Sequence, residues 1–340
     1  MLLDKEVRTD INDSRRKDLD IVSGIMIIYM VYGHMVTILG FENPCALLWR
    51  LLFCFMPWFY YKSGMFFKSK SLRAVMAGSG KKLLIPYCQY SLFGIFCYWF
   101  ILFWQKDPNW IHFFLTPIKD IIYTGALGGN APLWFLPSLC AVHIIFQYLM
   151  LHRWRAWMIM TFSAVASIIL YGAKIVFYGE AIYPYYLFNI IAGTFFYSFG
   201  YLLRERQYSK YVILLAIIVY SSILYFNFSS LDFRANDLRE GSYLLYLPFA
   251  LSAIVIINYL AKITLSLKSA PLILQFVGRN SMLIFAIHYP ILLVTSCLLS
   301  ESCMPPITKF LVSITILSII VGTILLIRKL KSNFSKVDTW

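Results

Sequence analysis

An all-α membrane protein that crosses the bilayer about ten times, with both termini in the cytoplasm, is the fold class this sequence predicts. Three observations predict it. The 340 residues are 60% hydrophobic and only 14% charged, with a mean hydropathy of +0.71. A soluble domain of this size cannot bury that much apolar surface. The apolar residues fall in runs of about 20, the length a helix needs to cross a hydrocarbon core of about 30 Å. Between the runs lie short basic clusters, and these alternate in weight from one side to the other.

The runs give spans near 21–40, 47–67, 83–104, 133–151, 157–174, 182–203, 211–228, 243–261, 276–298 and 309–327. The first, IVSGIMIIYMVYGHMVTIL, follows the charged cluster Arg15, Arg16, Lys17, Asp18 and Asp20. The second carries the aromatic stretch FMPWFYYKSGMFF, and the third follows the loop 68–82 and KKLLIPY. The fourth begins at APLWFLPSL, and the ninth opens with GRNSMLIFAIHYPILL. An open sheet cannot satisfy its backbone in lipid, and the runs are too long for barrel strands, so helices are the reading. Residues 1–20 form a cytoplasmic segment, 21–328 one transmembrane domain and 329–340 a cytoplasmic tail.

Basic residues test the count. With residues 1–20 inside, the inner segments hold Lys5, Arg8, Arg15, Arg16, Lys17, Lys68, Lys70, Arg73, Lys81, Lys82, Arg153, Arg155, Arg204, Arg206, Lys210, Lys262, Lys268, Arg328, Lys329, Lys331 and Lys336, 21 in all. The outer segments hold seven, Arg50, Lys106, Lys119, Lys174, Arg234, Arg239 and Lys309. Such an asymmetry is the mark of cytoplasmic termini, and an odd number of spans would spoil it. The net charge of +14 is therefore read as a match to anionic lipid, not to nucleic acid. The first run is longer than a signal core and lacks a small-residue cleavage pattern, so it reads as a helix that stays. Seven cysteines without a CxxC pair support neither a disulfide framework nor a zinc site. No His/Asp/Glu cluster has metal-ligand spacing, so no metal is expected.

His34 stands inside the first span, where an ionisable side chain is costly and usually faces a polar cavity or a partner. Imidazole also moves protons near neutral pH. Two readings stand from the residues alone, a general base and a hydrogen-bonded helix contact. His288 lies 12 residues past Phe276 as His34 lies 13 past Ile21, which puts both roughly 18–20 Å from the cytoplasmic end and lets them line one cavity. The alternative for His288 is a polar contact beside Pro290, where the helix loses a backbone bond.

In order and spacing, the stretches DLDIVSGIMIIYMVYGHM, FMPWFYYKSGMFF, KKLLIPY, APLWFLPSL and GRNSMLIFAIHYPILL resemble the bacterial integral-membrane acyltransferases of the type 3 family, especially the fucose 4-O-acetylase-like branch. The resemblance runs from about residue 15 to 328. It implies a ten-helix enzyme of the bacterial inner membrane that moves an acyl group, usually acetyl from cytoplasmic acetyl-CoA, onto a hydroxyl of a surface-polysaccharide or lipid-linked sugar. The family's first-helix histidine maps onto His34. The sequence departs from the family at Ser23, where an arginine or lysine is usual. It departs also at Phe55, usually histidine, and at Lys62, usually apolar. Either Arg15, Arg16 or Lys17 supplies the missing charge at Ser23, or the site is modified, or the protein is inactive.

Acyl transfer to an alcohol needs a base, donors for the developing oxyanion, and cations for the CoA phosphates. Neutral His34 suits the first task. Lys70, Arg73, Lys81 and Lys82 on the inner loop suit the last, with AGSG at 77–80 bringing backbone amides to a phosphate; ordinary positive-inside charge is the competing reading. Arg279, with Asn280 at the start of its span, either snorkels to the headgroups or faces the CoA entrance, and Lys62 reads as a snorkelling side chain. Trp134 fits an outer aromatic belt, and its face also suits a sugar ring. His143 reads as a satisfied packing residue. Asp232, Asp237, Arg239 and Glu240 form an outer loop that reads as solvated or as binding acceptor hydroxyls. A transporter or flippase for lipid-linked sugars and an inactive relative are the alternative functions. Oligomeric state is not legible.

Overall fold

The computed structural model describes residues 16–40, 46–178, 184–204, 208–266, 271–300 and 304–334. In chain order the helices are α1 (Lys17–Leu39), α2 (Ala46–Leu51), α3 (Phe55–Met65), α4 (Leu72–Ser79), α5 (Ile85–Trp104), α6 (Trp110–Thr124), α7 (Phe135–Leu151), α8 (Ala156–Tyr178), α9 (Tyr186–Leu203), α10 (Lys210–Phe226), α11 (Tyr243–Ser266), α12 (Leu272–Arg279), α13 (Ser281–Leu298) and α14 (Pro306–Phe334). A π-helical turn, Gly80–Leu84, joins α4 to α5, and a 3-10 segment, Gly128–Trp134, leads into α7. The only strands among the described residues are β1 (Ser230–Asp232) and β2 (Asp237–Glu240), an antiparallel hairpin.

The protein is an all-α polytopic membrane protein. Eight helical stretches among the described residues are long and apolar enough to cross a membrane. Eight of the ten runs read from the sequence coincide with helices, and the run at 276–298 is corrected to the end of α12 and the whole of α13, which meet at a turn at Asn280. α10 is apolar but 17 residues long, about 25 Å, and so falls a little short of a full span. The run at 47–67 is corrected: it is two short helices, α2 and α3, separated by a turn. Such a break is tolerated at membrane depth only where protein covers it and the freed backbone finds partners. Here Tyr29 on α1 donates its hydroxyl to Trp49 O at 2.6 Å, and Tyr220 on α10 donates to Leu51 O at 2.8 Å.

Two further boundaries differ from expectation. α1 begins at Lys17, not Ile21. Its first turn carries Asp18 and Asp20, whose charges favour a helix N-terminus. The loop expected at 68–82 is largely helical: Ser71 Oγ accepts Ala74 N–H at 3.3 Å and starts α4, and AGSG lies within the helical run that continues into α5. No glycine-rich loop is formed there.

The helices sort into inner and lipid-facing sets. α1, α11 and α13 each bury 61% of their spanning window, whereas 72–104 and α14 bury 11%. The lipid-facing set exposes Phe96, Phe100, Phe103, Ile314 and Ile319. α1 packs against α11, α12 and α13. At one crossing Gly24 and Gly278 bring backbones together: a Cβ at Gly24 would lie 2.2 Å from Leu274 O, and one at Gly278 1.8 Å from Asp20 O. α3 meets α9 in the same way, through Gly64 and Gly200. A Cβ at Gly200 would fall 1.9 Å from Tyr61 O. Gly200→Ala is therefore expected to destabilise the protein by about 1–3 kcal/mol through forced separation of the two helices. A melting temperature in detergent equal to that of the unaltered protein would refute this.

Candidate active site

His34 lies near the C-terminal end of α1 and lines a cavity of about 310 Å³, at the small end of the range for small-molecule sites. Gly33, His34 and Thr37 come from α1, Trp49 from α2, and Phe55, Met56 and Pro57 from α3. Pro132 and Trp134 come from the 3-10 segment, Tyr246 from α11, and Phe285 and Tyr289 from α13. The helix break between α2 and α3 turns Trp49 toward α1. Gly33 admits it, since a Cβ there would lie 2.1 Å from the Trp49 ring. Trp49 stacks on Tyr29 with ring centres 4.5 Å apart. Trp134 is buried and lies nearly parallel to Phe233 at 6.5 Å. The belt reading of Trp134 is thus corrected, because its ring faces the cavity and not the interface with lipid.

His288 is brought to His34 as the depth argument expected, with ring centres 5.3 Å apart. It does not line the cavity, however; it is fully buried behind His34. Its Nδ1 faces the carbonyls of Ile284 and Phe285 at 3.0 and 2.9 Å. Carbonyls only accept, so the proton sits on Nδ1 and Nε2 carries the lone pair. That Nε2 is buried and has no hydrogen-bond partner among the described residues. The backbone group freed by Pro290 is not met by His288. It is Ala286 O, four residues back, and it accepts from Asn130 Nδ2 at 2.9 Å. His34 also meets Tyr289 edge-on at 5.2 Å.

The hairpin covers one end of the cavity. Asp232, Arg234 and Arg239 line it, so this loop is not simply solvated, as one reading had it. Leu231 and Phe233 are buried beneath, and Asn236 takes φ +51° at the turn, a left-handed value that asparagine tolerates. Asn236 Oδ1 accepts from Tyr243 at 2.8 Å, Tyr243 also bonds Ser167, and Lys174 pairs with Asp237 at 2.9 Å. These contacts anchor the hairpin to α8 and α11.

Ser23 is fully buried, 11 residues before His34 and on the same face of α1. Its Oγ donates to Leu19 O at 2.7 Å and accepts from Lys62 Nζ at 2.5 Å. Lys62 Nζ also lies 5.5 Å from the Trp58 ring centre. The snorkelling reading of Lys62 is therefore corrected: α3 carries its ammonium inward, to the serine. Among the other candidates for that charge, Arg16 is bound to Asp18 at 2.6 Å, and Arg15 lies outside the described residues.

The remaining candidates stand apart from His34. Arg279 pairs with buried Asp20 at 3.3 Å, which ties α12 to the start of α1, and Asn280 bonds Phe276 O at 2.8 Å. Lys70, Arg73, Lys81 and Lys82 are exposed around α4 and the π turn, and none lines the cavity. His143 bonds Ser79 at 3.1 Å, in keeping with a packing role. Among the described residues no group of three His, Cys, Asp or Glu side chains is placed to hold a metal ion.

Comparison with curated proteins and with solved structures returned no match. A family model described as an acyltransferase domain, that of the acyltransferase 3 family, matches residues 16–327. The match takes in α1 with His34, the α2–α3 break, the hairpin and α13 with His288, so the whole cavity falls within it. The chain belongs to the acyltransferase 3 family of membrane proteins.

Proposed function

We propose that the protein is an O-acetyltransferase of the bacterial inner membrane, moving acetyl from acetyl-CoA to a hydroxyl of a surface-polysaccharide or lipid-linked sugar. The observation that carries the reading is one imidazole, His34, on the wall of an aromatic-lined cavity with a second, Nδ1-protonated histidine behind it. Trp49 and Trp134 offer flat apolar faces for a sugar ring, and the hairpin charges offer polar partners. His34 takes the proton of the acceptor hydroxyl. The hydroxyl oxygen forms a bond to the thioester carbonyl carbon, the carbon–sulfur bond breaks, and the proton passes to the leaving thiolate. His288 Nε2 makes no hydrogen bond among the described residues; with its ring centre 5.3 Å from that of His34, its lone pair is the group that steadies the imidazolium once it forms.

The CoA phosphates dock on Lys70, Arg73, Lys81 and Lys82 at the cytoplasmic face. The thioester then passes the level of Ser23 and Lys62, about 16 Å from His34 along α1. Lys62 supplies there the cation that Ser23 lacks, which favours an active enzyme over an inactive relative. The test is mass spectrometry of surface glycans from cells with and without the protein. An acetyl increment that depends on the protein supports the reading; its absence from every glycan class overturns it.

His288 acts through His34, so its removal should be read in turnover. His288→Ala is expected to lower kcat by about tenfold or more with acceptor KM unchanged. His288→Gln, which keeps an acceptor oxygen, should lose less. Equal losses in the two variants, or an effect on KM alone, would remove His288 from this role.

A further inference from the structure

The three charged side chains that the hairpin brings to the cavity are unequally satisfied. Arg239 Nη2 bonds Asp232 Oδ2 at 2.7 Å, and Asp232 Oδ1 accepts the backbone N–H of Arg234 at 3.2 Å. The one carboxylate lining the cavity is thus engaged on both oxygens. Arg234 has no carboxylate within 4.0 Å among the described residues. Asp120 on α6, the next acid in electrostatic reach, accepts Gly128 N–H at 3.0 Å.

Arg234 is nevertheless held in position. Its carbonyl accepts from the buried Asn189 Nδ2 at 2.9 Å, and Asn189 Oδ1 accepts from Ser138 at 2.7 Å. Its guanidinium lies 5.6 Å from the Tyr185 ring centre. Its Nε is buried and has no hydrogen-bond partner among the described residues. A buried N–H left without an acceptor is costly and is seldom found without a reason. A guanidinium offers a planar fork of donors that fits the two oxygens of a carboxylate or phosphate.

The geometry points to an anion subsite in this cavity: Arg234 binds a carboxylate or phosphate group carried by the acceptor, so the acceptor class is an acidic saccharide. The inference rests on the reading of this cavity as the acceptor site. The acid group on Arg234 fixes one end of the sugar, Trp49 and Trp134 flank the ring, and a ring hydroxyl is turned to His34. Lining charge agrees with this, since two arginines face one aspartate.

The test is a binding measurement that does not need turnover. The full chain, purified in detergent, is titrated with glucose, glucuronic acid and glucose 6-phosphate, with intrinsic fluorescence and melting temperature as readouts. At least one acid is expected to bind about tenfold or more tightly than glucose, and added salt should narrow the gap. The tighter acid names the source of the anion, uronate or sugar phosphate. Arg234→Gln should erase the preference, and Arg234→Lys, which keeps the charge without the fork, should retain part of it. Equal binding of all three sugars, no binding by either acid, or an acid preference that survives in Arg234→Gln overturns the subsite. Absence of the preference in the unaltered protein while cells still show the acetyl increment overturns the subsite alone. A clear acid preference without any acetyl increment overturns the acetyl-transfer reading alone.

Discussion

His34→Ala is expected to lower acetyl transfer by about 10²–10⁴-fold, the range that a positioned general base contributes. The protein should still insert and melt near its normal temperature. His34 faces a cavity already, so truncation enlarges a space that is open and leaves no packed void. His288 Nε2 has no hydrogen-bond partner among the described residues, so no hydrogen bond there is lost with the imidazole. The measurement is the glycan acetyl increment in cells, alongside detergent melting of the purified variant. Transfer at the normal rate in a well-folded His34→Ala protein would end the assignment of His34 as base.

The second large effect belongs to Lys62. Removing its ammonium in Lys62→Met is expected to cost about 10- to 100-fold in transfer, the equivalent of one charge-assisted hydrogen bond. Ser23→Arg alone should also lower the rate. Ser23 is fully buried, and a guanidinium there would lie against the ammonium already 2.5 Å from its Oγ. Two like charges so close disfavour each other strongly. The double variant Ser23→Arg with Lys62→Met restores a single cation and should recover most of the activity. If Ser23→Arg alone raises the rate, or if Lys62→Met is silent, the cation is not supplied by Lys62.

Much of this fold was legible because lipid imposes a simple rule on apolar run length. The pairing of His34 with His288 was legible for the same reason, since counting residues from the membrane face gives depth. Other features lay beyond that rule. The break between α2 and α3 lies four residues before Pro57, which cannot donate to Phe53 O, and the tyrosines on α1 and α10 that satisfy Trp49 O and Leu51 O come from far along the chain. Ser23 and Lys62 each looked like an isolated departure, because positions 39 apart in sequence carry no sign that they touch. AGSG looked like a loop from its glycines, while Ser71 upstream had already started a helix. The hairpin strands are three and four residues long, too short for an alternating pattern. Asn236 followed by Asp237, between Phe233 and Leu238, was the available turn signal.

The seam at Gly24 and Gly278 has a mechanical consequence. Backbones in contact without side chains between them cannot slide or part by small rotamer changes, so α1 and α12 behave as one stiff strut. α13 follows after the turn at Asn280 and itself packs on α1, so His34 lies on this strut and His288 beside it. The deformable part of the cavity is its methionines: Met30 and Met56, whose unbranched thioethers adapt easily, are among its lining residues. A carrier that rocks its halves apart would have to shear this strut. An enzyme needs only to hold it still while the reacting groups meet in the cavity beside it.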